Sequence, residues 1–134
     1  MVGIVLISHS GLLVDGLRDL LGELRGPDPV TIEVAGGTED GGLGSSEDLI
    51  LAAISRADRG DGVLMLADLG SSVLTALTIL EDLDRKDVRL ADAPLVEGAI
   101  AATVTASTGA SLDAVLAAAE EARTVAKFGG LDGA

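Results

Sequence analysis

Three short apolar runs, Gly3 to Ser8, Val30 to Val34 and Val63 to Ala67, are each followed by a polar turn and then by leucine, isoleucine and alanine at helical spacing. That alternation constrains the fold more than any other feature of the chain. Two of the runs, "GIVLIS" and "VLMLA", are apolar almost throughout and of strand length, as expected for strands buried on both faces. In the other, Val30, Ile32 and Val34 alternate with Thr31 and Glu33, which gives a strand one wetter face and places it near a sheet edge. Strands that alternate with helices require right-handed crossovers, and so a parallel sheet with helices on both sides. With Val88 to Leu90 as a weaker fourth strand, the expected architecture is one α/β domain. Its sheet is doubly wound and mainly parallel, with four to five strands in the order 2-1-3-4.

The first helix is expected to turn Leu13, Leu17, Leu20, Leu21 and Leu24 inward and to stop at Gly26 and Pro27. Ser45 or Ser46 can cap the second, which carries Leu49, Ile50, Ala53, Ile54 and Ala57. The third follows "DLGSS" with Val73, Ala76, Leu77, Leu80 and Leu83 inward. Pro94 opens a fourth that runs through Ser107 and is broken by Gly109, and Ser111 caps a fifth over Leu112 to Ala126. The fourth also carries a face of small and branched residues, Val96, Ala99, Ile100, Ala102, Thr103 and Ala106 around Gly98, suited either to internal packing or to another helix. The domain is expected to span residues 1–128, with 129–134, "GGLDGA", as a tail or the start of a linker.

Composition removes several classes of function. One aromatic residue, Phe128, in a chain that is 48% hydrophobic means an aliphatic core. Without cysteine there is no disulfide, thiolate nucleophile or cysteine metal site, and one histidine cannot supply the usual zinc set, so no metal and no cofactor is expected. A formal charge of −13 argues against nucleic acid and anionic membranes, whose phosphates attract clustered lysine and arginine. No apolar run reaches the roughly 18 residues of a membrane span, and the amino terminus lacks a basic n-region, which together suggest a cytoplasmic protein.

In open parallel sheets, ligands bind at the carboxyl ends of the strands where strand order reverses. Three polar stretches fall at those ends: "SHS" with the only histidine, His9; "GGTEDGGLGSS"; and "DLGSS". Beside a strand His9 could simply be a structural hydrogen-bonder, but between a strand and a helix start an imidazole can be a nucleophile whose phosphorylated form is held by free backbone N–H groups. Asp68 could cap the following helix, or accept a hydrogen bond from one ring nitrogen of His9 so that the other is free to attack. The glycine loop could be a plain connection, or a cradle in which backbone donors, with Thr38, Ser45 and Ser46, approach a phosphoryl group.

"GIVLISHS", "GGTEDGGLGSS", "ADLGSS" and "DAPLVEGA" together resemble the phosphotransferase subunit of phosphoenolpyruvate-dependent dihydroxyacetone kinases, a domain similar to the mannose-type enzyme IIA of the bacterial sugar phosphotransferase system. The resemblance runs from Val2 to about Ala126 and implies a phosphohistidine carrier. His9 would take phosphate on Nε2 from the carrier protein HPr and pass it to ADP on the nucleotide-binding kinase subunit, with Asp68 orienting the ring. It further implies phosphoryl contacts from Ser10, Gly11, Gly37, Thr38, Gly70, Ser71 and Ser72, and a homodimer. The absence of tryptophan and the sequence "DLGSS" favour the kinase subunit over a sugar-uptake enzyme IIA, the alternative. Family members often have threonine at Ser45 and glutamate at Leu77. A response-regulator receiver would need acidic residues where Ser8, His9 and Ser10 stand, and "GGLGSS" has no Walker lysine for a nucleotide site.

Overall fold

A computed structural model describes residues 1–26 and 29–129. Pro27, expected to help stop the first helix, and all of the expected tail except Gly129 lie outside the described residues. The elements are β1 (Gly3–Ser8), α1 (Gly11–Gly22), β2 (Ile32–Gly36), α2 (Glu47–Ala57), β3 (Val63–Ala67), α3 (Gly70–Leu83), β4 (Val88–Leu90), α4 (Leu95–Ala106) and α5 (Leu112–Glu121), then a 3₁₀ turn at Ala122–Thr124. Among the described residues the sheet has four strands in the order β2-β1-β3-β4, all parallel, which is the expected topology.

Alternation along the two central strands divides the core. Ile4 and Leu6 of β1 and Leu64 and Leu66 of β3 face α1, α4 and α5, where Val14, Leu17, Leu21, Ala99, Ala102, Val115 and Ala119 pack on them. Val5, Ile7, Val63 and Met65 face the opposite way, onto Ile50, Ala53 and Ile54 of α2 and Ala76 and Ile79 of α3. Because both faces are covered, a polar residue in β1 or β3 can persist only if its hydrogen bonds are made internally.

Three helices depart from the expected pattern. In α1, Val14 is buried while Leu13 and Leu20 are exposed, and Leu24, expected inside the helix, is exposed in the turn that follows it. The phase is set by close packing of the helix start on the end of β2: a Cβ at Gly36 would lie 2.5 Å from Val14 Cγ2 and 2.6 Å from Gly11 Cα. In α3, Ser72, Ala76 and Ile79 point inward and Leu77 is exposed, because the helix is rotated to bring Ser72 to the sheet end. The fifth helix stops at Glu121 instead of Ala126 and tightens into the 3₁₀ turn, since the residues beyond Ala119 have no core to face.

The small-residue face of α4 is consumed inside the monomer. Gly98, Ala99, Ala102, Thr103 and Ala106 are all buried. A Cβ at Gly98 would stand 2.9 Å from both Ala93 Cβ and Leu66 Cδ2, so this glycine sets how closely α4 lies on the sheet. The other side of α4 keeps Val96 and Val104 exposed. Among the described residues no helix is long and apolar enough to cross a membrane.

Candidate functional site

Strand register does the first part of the work. Ser8 pairs with Gly36 and Ile7 with Ala67, so the residues that follow, His9, Gly37 and Asp68, emerge side by side at one edge of the sheet. Backbone bonds continue the ladders past the strands: Asp68 N–H donates to Ile7 O at 3.1 Å and Gly37 N–H to Ser8 O at 3.0 Å. Gly37 adopts a φ of +72°, which favours glycine, and this turns the loop so that Gly44 N–H can reach His9 O at 3.1 Å.

The imidazole of His9 is three-quarters buried and contacted on both nitrogens. Nδ1 lies 3.1 Å from Asp68 Oδ1 and 3.2 Å from Ser72 Oγ, while Nε2 meets Ser71 Oγ. Asp68 is itself restrained: Oδ2 accepts from Ser8 Oγ at 2.7 Å and from His9 N–H at 3.2 Å, and Oδ1 accepts from Leu69 N–H at 2.7 Å. Burial pushes this carboxyl up, but the Ser8 hydroxyl, the Leu69 and His9 N–H groups and the Ser72 hydroxyl outweigh it and hold the pKa at about 2. An ionised carboxylate can only accept hydrogen bonds, so Nδ1 carries the proton and the lone pair of the neutral ring sits on Nε2.

Nε2 faces the start of α3. The N-cap of that helix is Leu69, which offers no side-chain cap, so Asp68 is not the capping residue. The first N–H groups of α3, those of Gly70, Ser71 and Ser72, therefore lack an intrahelical acceptor, and the positive end of the helix dipole points the same way. Leu69, Gly70 and Ser71 are exposed, which leaves the Nε2 side open to an incoming group. An anion bonded to Nε2 would meet backbone donors and the Ser71 hydroxyl there.

The remaining expected residues divide. Ser10 caps α1, its hydroxyl accepting from Leu13 N–H at 3.3 Å, so the start of α1 is already occupied and that of α3 is the open one. Gly11 packs under Gly36. Thr38 folds its own loop, donating to Asp40 and accepting from Gly42 N–H at 3.0 Å. Ser46 caps α2, while Ser45 reaches Ser72 Oγ at 3.0 Å and extends the hydroxyl chain that ends at Nδ1. Ser72 thus stands at Nδ1 and Ser71 at Nε2. Leu77 lines a pocket of about 430 Å³ beside Asp68, with Val73, Leu90 and Asp92. Ser8 is the contributor that sequence reasoning missed. Its signal was a hydroxyl closing an otherwise apolar strand immediately before the only histidine.

The low pKa of Asp68 has a thermodynamic consequence. The folded value, about 2, lies below the ordinary 3.8, so the group adds stability above pH 4 that is lost as pH falls from about 4 towards 2. The expected loss is about 2 kcal/mol. Urea melts between pH 5 and pH 2 should show a steeper fall for the parent than for Asp68→Asn; equal slopes would mean that the carboxylate is not held in this way.

Residues 3–116 match the family model described as the PTS system fructose IIA component. The chain is 39% identical over 127 residues to the phosphoryl donor subunit DhaM of a PEP-dependent dihydroxyacetone kinase from Providencia stuartii, covering 91% of this chain but 27% of that protein. A DhaM subunit of Listeria innocua is 39% identical over 119 residues, which is 87% of this chain and 94% of the relative. This chain thus spans about a quarter of the Providencia protein and nearly all of the Listeria one. A solved crystal structure of a protein of unknown function, EF1359, superposes with a TM-score of 0.79 at 37% identity, covering 90% of this chain and 95% of that one.

Proposed function

This chain belongs to the mannose-type enzyme IIA family and, within it, to the DhaM phosphoryl donor subunits, and from that premise we propose that it is the phosphohistidine carrier of a PEP-dependent dihydroxyacetone kinase. The observation that carries the proposal is the asymmetry of His9: Nδ1 is taken by an ionised carboxylate, and Nε2 faces an uncapped helix start.

In the first step the Nε2 lone pair attacks the phosphorus of phosphorylated HPr, forming one P–N bond as the donor's P–N bond breaks. The ring becomes cationic, keeps its Nδ1 proton, and is stabilised by Asp68. The α3 N–H groups and Ser71 hold the phosphoryl oxygens. Such transfer is mainly positioning and charge stabilisation. In the second step a β-phosphate oxygen of ADP on the nucleotide-binding kinase subunit attacks, and the P–Nε2 bond returns its electron pair to the ring. No cofactor or metal takes part on this chain.

The partners are proteins rather than free metabolites. Exposed leucines cluster on the elements that carry the site: Leu12 on the first turn of α1 at 87% exposure, Leu43 in the glycine loop at 81%, and Leu69 and Leu74 at the start of α3 at 63% and 66%. Apolar surface of this kind around a reactive group suits docking of another chain. The carrier works in the cytoplasm as a homodimer, for which the apolar groove of Ile100, Ala101, Val104 and Val125 on the outer side of α4 and α5 offers a surface; light scattering that gives a monomer mass would remove the dimer.

The test is to label the protein with phosphoenolpyruvate, enzyme I and HPr. It is then mixed with ADP alone, with ADP plus kinase subunits and dihydroxyacetone, or with a mannose-type IIB domain. Dihydroxyacetone phosphate is expected only in the second mixture, since ADP alone has nothing here to orient its β-phosphate. Rapid transfer to the IIB domain with none to the kinase subunits would move the chain to the sugar-uptake branch.

A further inference from the structure

We propose that Ser8 is a positioning residue for phosphoryl transfer: its hydroxyl locks the Asp68 carboxylate in the orientation that fixes the proton on Nδ1 of His9. The inference rests on His9 being the phosphoacceptor, and it concerns a residue that touches neither the phosphoryl group nor a partner.

Ser8 is fully buried at the end of β1, where a hydroxyl is costly unless it is bonded. Its oxygen accepts from Ser10 N–H at 3.0 Å and donates to Asp68 Oδ2 at 2.7 Å. The hydroxyl has one proton and the Ser10 N–H can only donate, so the direction of the bond to Asp68 is determined: Ser8 gives and the carboxylate receives. Ser10 is the N-cap of α1, so one hydroxyl ties together the end of β1, the start of α1 and the residue after β3.

The effect on His9 follows from the two carboxylate oxygens. With Oδ2 held by Ser8 and by His9 N–H, Oδ1 is turned towards Nδ1. Remove the Ser8 hydroxyl and Oδ2 keeps only the longer bond, 3.2 Å from His9 N–H. With Leu69 N–H still on Oδ1 at 2.7 Å, the carboxylate stays near the ring but loses its shortest tie on Oδ2, so its orientation towards Nδ1 is less tightly fixed and part of the population can place the proton on Nε2, where the lone pair must be for attack. Partner docking should be untouched, because Ser8 has no exposed surface.

The experiment uses the full chain with Ser8→Ala and Ser8→Thr, and reads the tautomer by long-range proton–nitrogen NMR. The spectrum holds a single imidazole, because His9 is the only histidine. The parent is expected to show the Nδ1–H form, Ser8→Ala a mixture, and Ser8→Thr, which keeps the hydroxyl, the parental form. Phosphorylation by HPr should slow roughly 10- to 100-fold in Ser8→Ala, by analogy with the loss of hydrogen-bond partners that orient metal-bound histidines, with KM for HPr unchanged. A parental tautomer and rate in Ser8→Ala overturn the proposal. Should Ser8→Ala not fold, Ser8→Gly, which also lacks the hydroxyl, carries the same comparison, and parental behaviour there overturns it equally. The tautomer spectrum needs no phosphate, so a parent that cannot be phosphorylated would defeat the carrier reading while leaving the hold of Ser8 on the ring to be judged by the spectrum.

Discussion

The His9→Ala variant is expected to incorporate no phosphate from phosphoenolpyruvate, enzyme I and HPr, a complete loss against the parent. His9 is the only histidine and the chain has no cysteine, so no second side chain of comparable nucleophilicity stands in the site. The nearest hydroxyl, Ser71, has no base once the imidazole is gone. The loss should not come from unfolding: the His9 N–H and C=O bonds to Asp68 and Gly44 are backbone contacts that alanine retains. Circular dichroism and melting temperature close to the parent check this. Label on the variant would sink His9 as acceptor. The chemistry of the parental label separates the receiver-like reading, since phosphohistidine survives alkali and is lost in acid, whereas a phosphate on Asp68 would be released by hydroxylamine.

Replacing Asp68 should have the next largest effect, a fall in transfer rate on the order of 10²-fold or more with the acceptor still present. Two contributions add. The proton is no longer fixed on Nδ1, so part of the population carries it on Nε2 and cannot attack. The cationic ring formed during transfer also loses its counter-charge. Asp68→Ala additionally strands the donors that converge on the carboxylate, from Ser8, His9 and Leu69, and so should melt lower. Asp68→Asn keeps the shape and most of those contacts while removing the charge, and is the cleaner kinetic variant. A parental rate in Asp68→Asn, or a lowered melting temperature in Asp68→Ala with no change in rate, would reduce Asp68 to a structural role.

Much of this was already written along the chain. Short apolar runs of strand length are too short to be useful helices, and their alternation with helical spacing leaves a parallel sheet with right-handed crossovers, so the strands and the class of fold follow from local pattern, and the sheet has the expected order 2-1-3-4. The same topology put His9, the glycine loop and Asp68 at one edge before any distance was known. What local pattern does not contain is the rotation of a helix about its axis. Leucine is compatible with either side of an amphipathic boundary, so Leu13 and Leu77 read as core, while contact with Gly36 and the reach of Ser72 to His9 turned Val14 and Ile79 inward instead. The division of labour among the serines has the same origin. Ser8, Ser71 and Ser72 are chemically alike, and only the register that sets Ile7 beside Ala67 decides that one holds a carboxylate, one meets Nε2 and one meets Nδ1. These are contacts between segments some sixty residues apart, made at distances of about 3 Å, and they exist only once the sheet has closed.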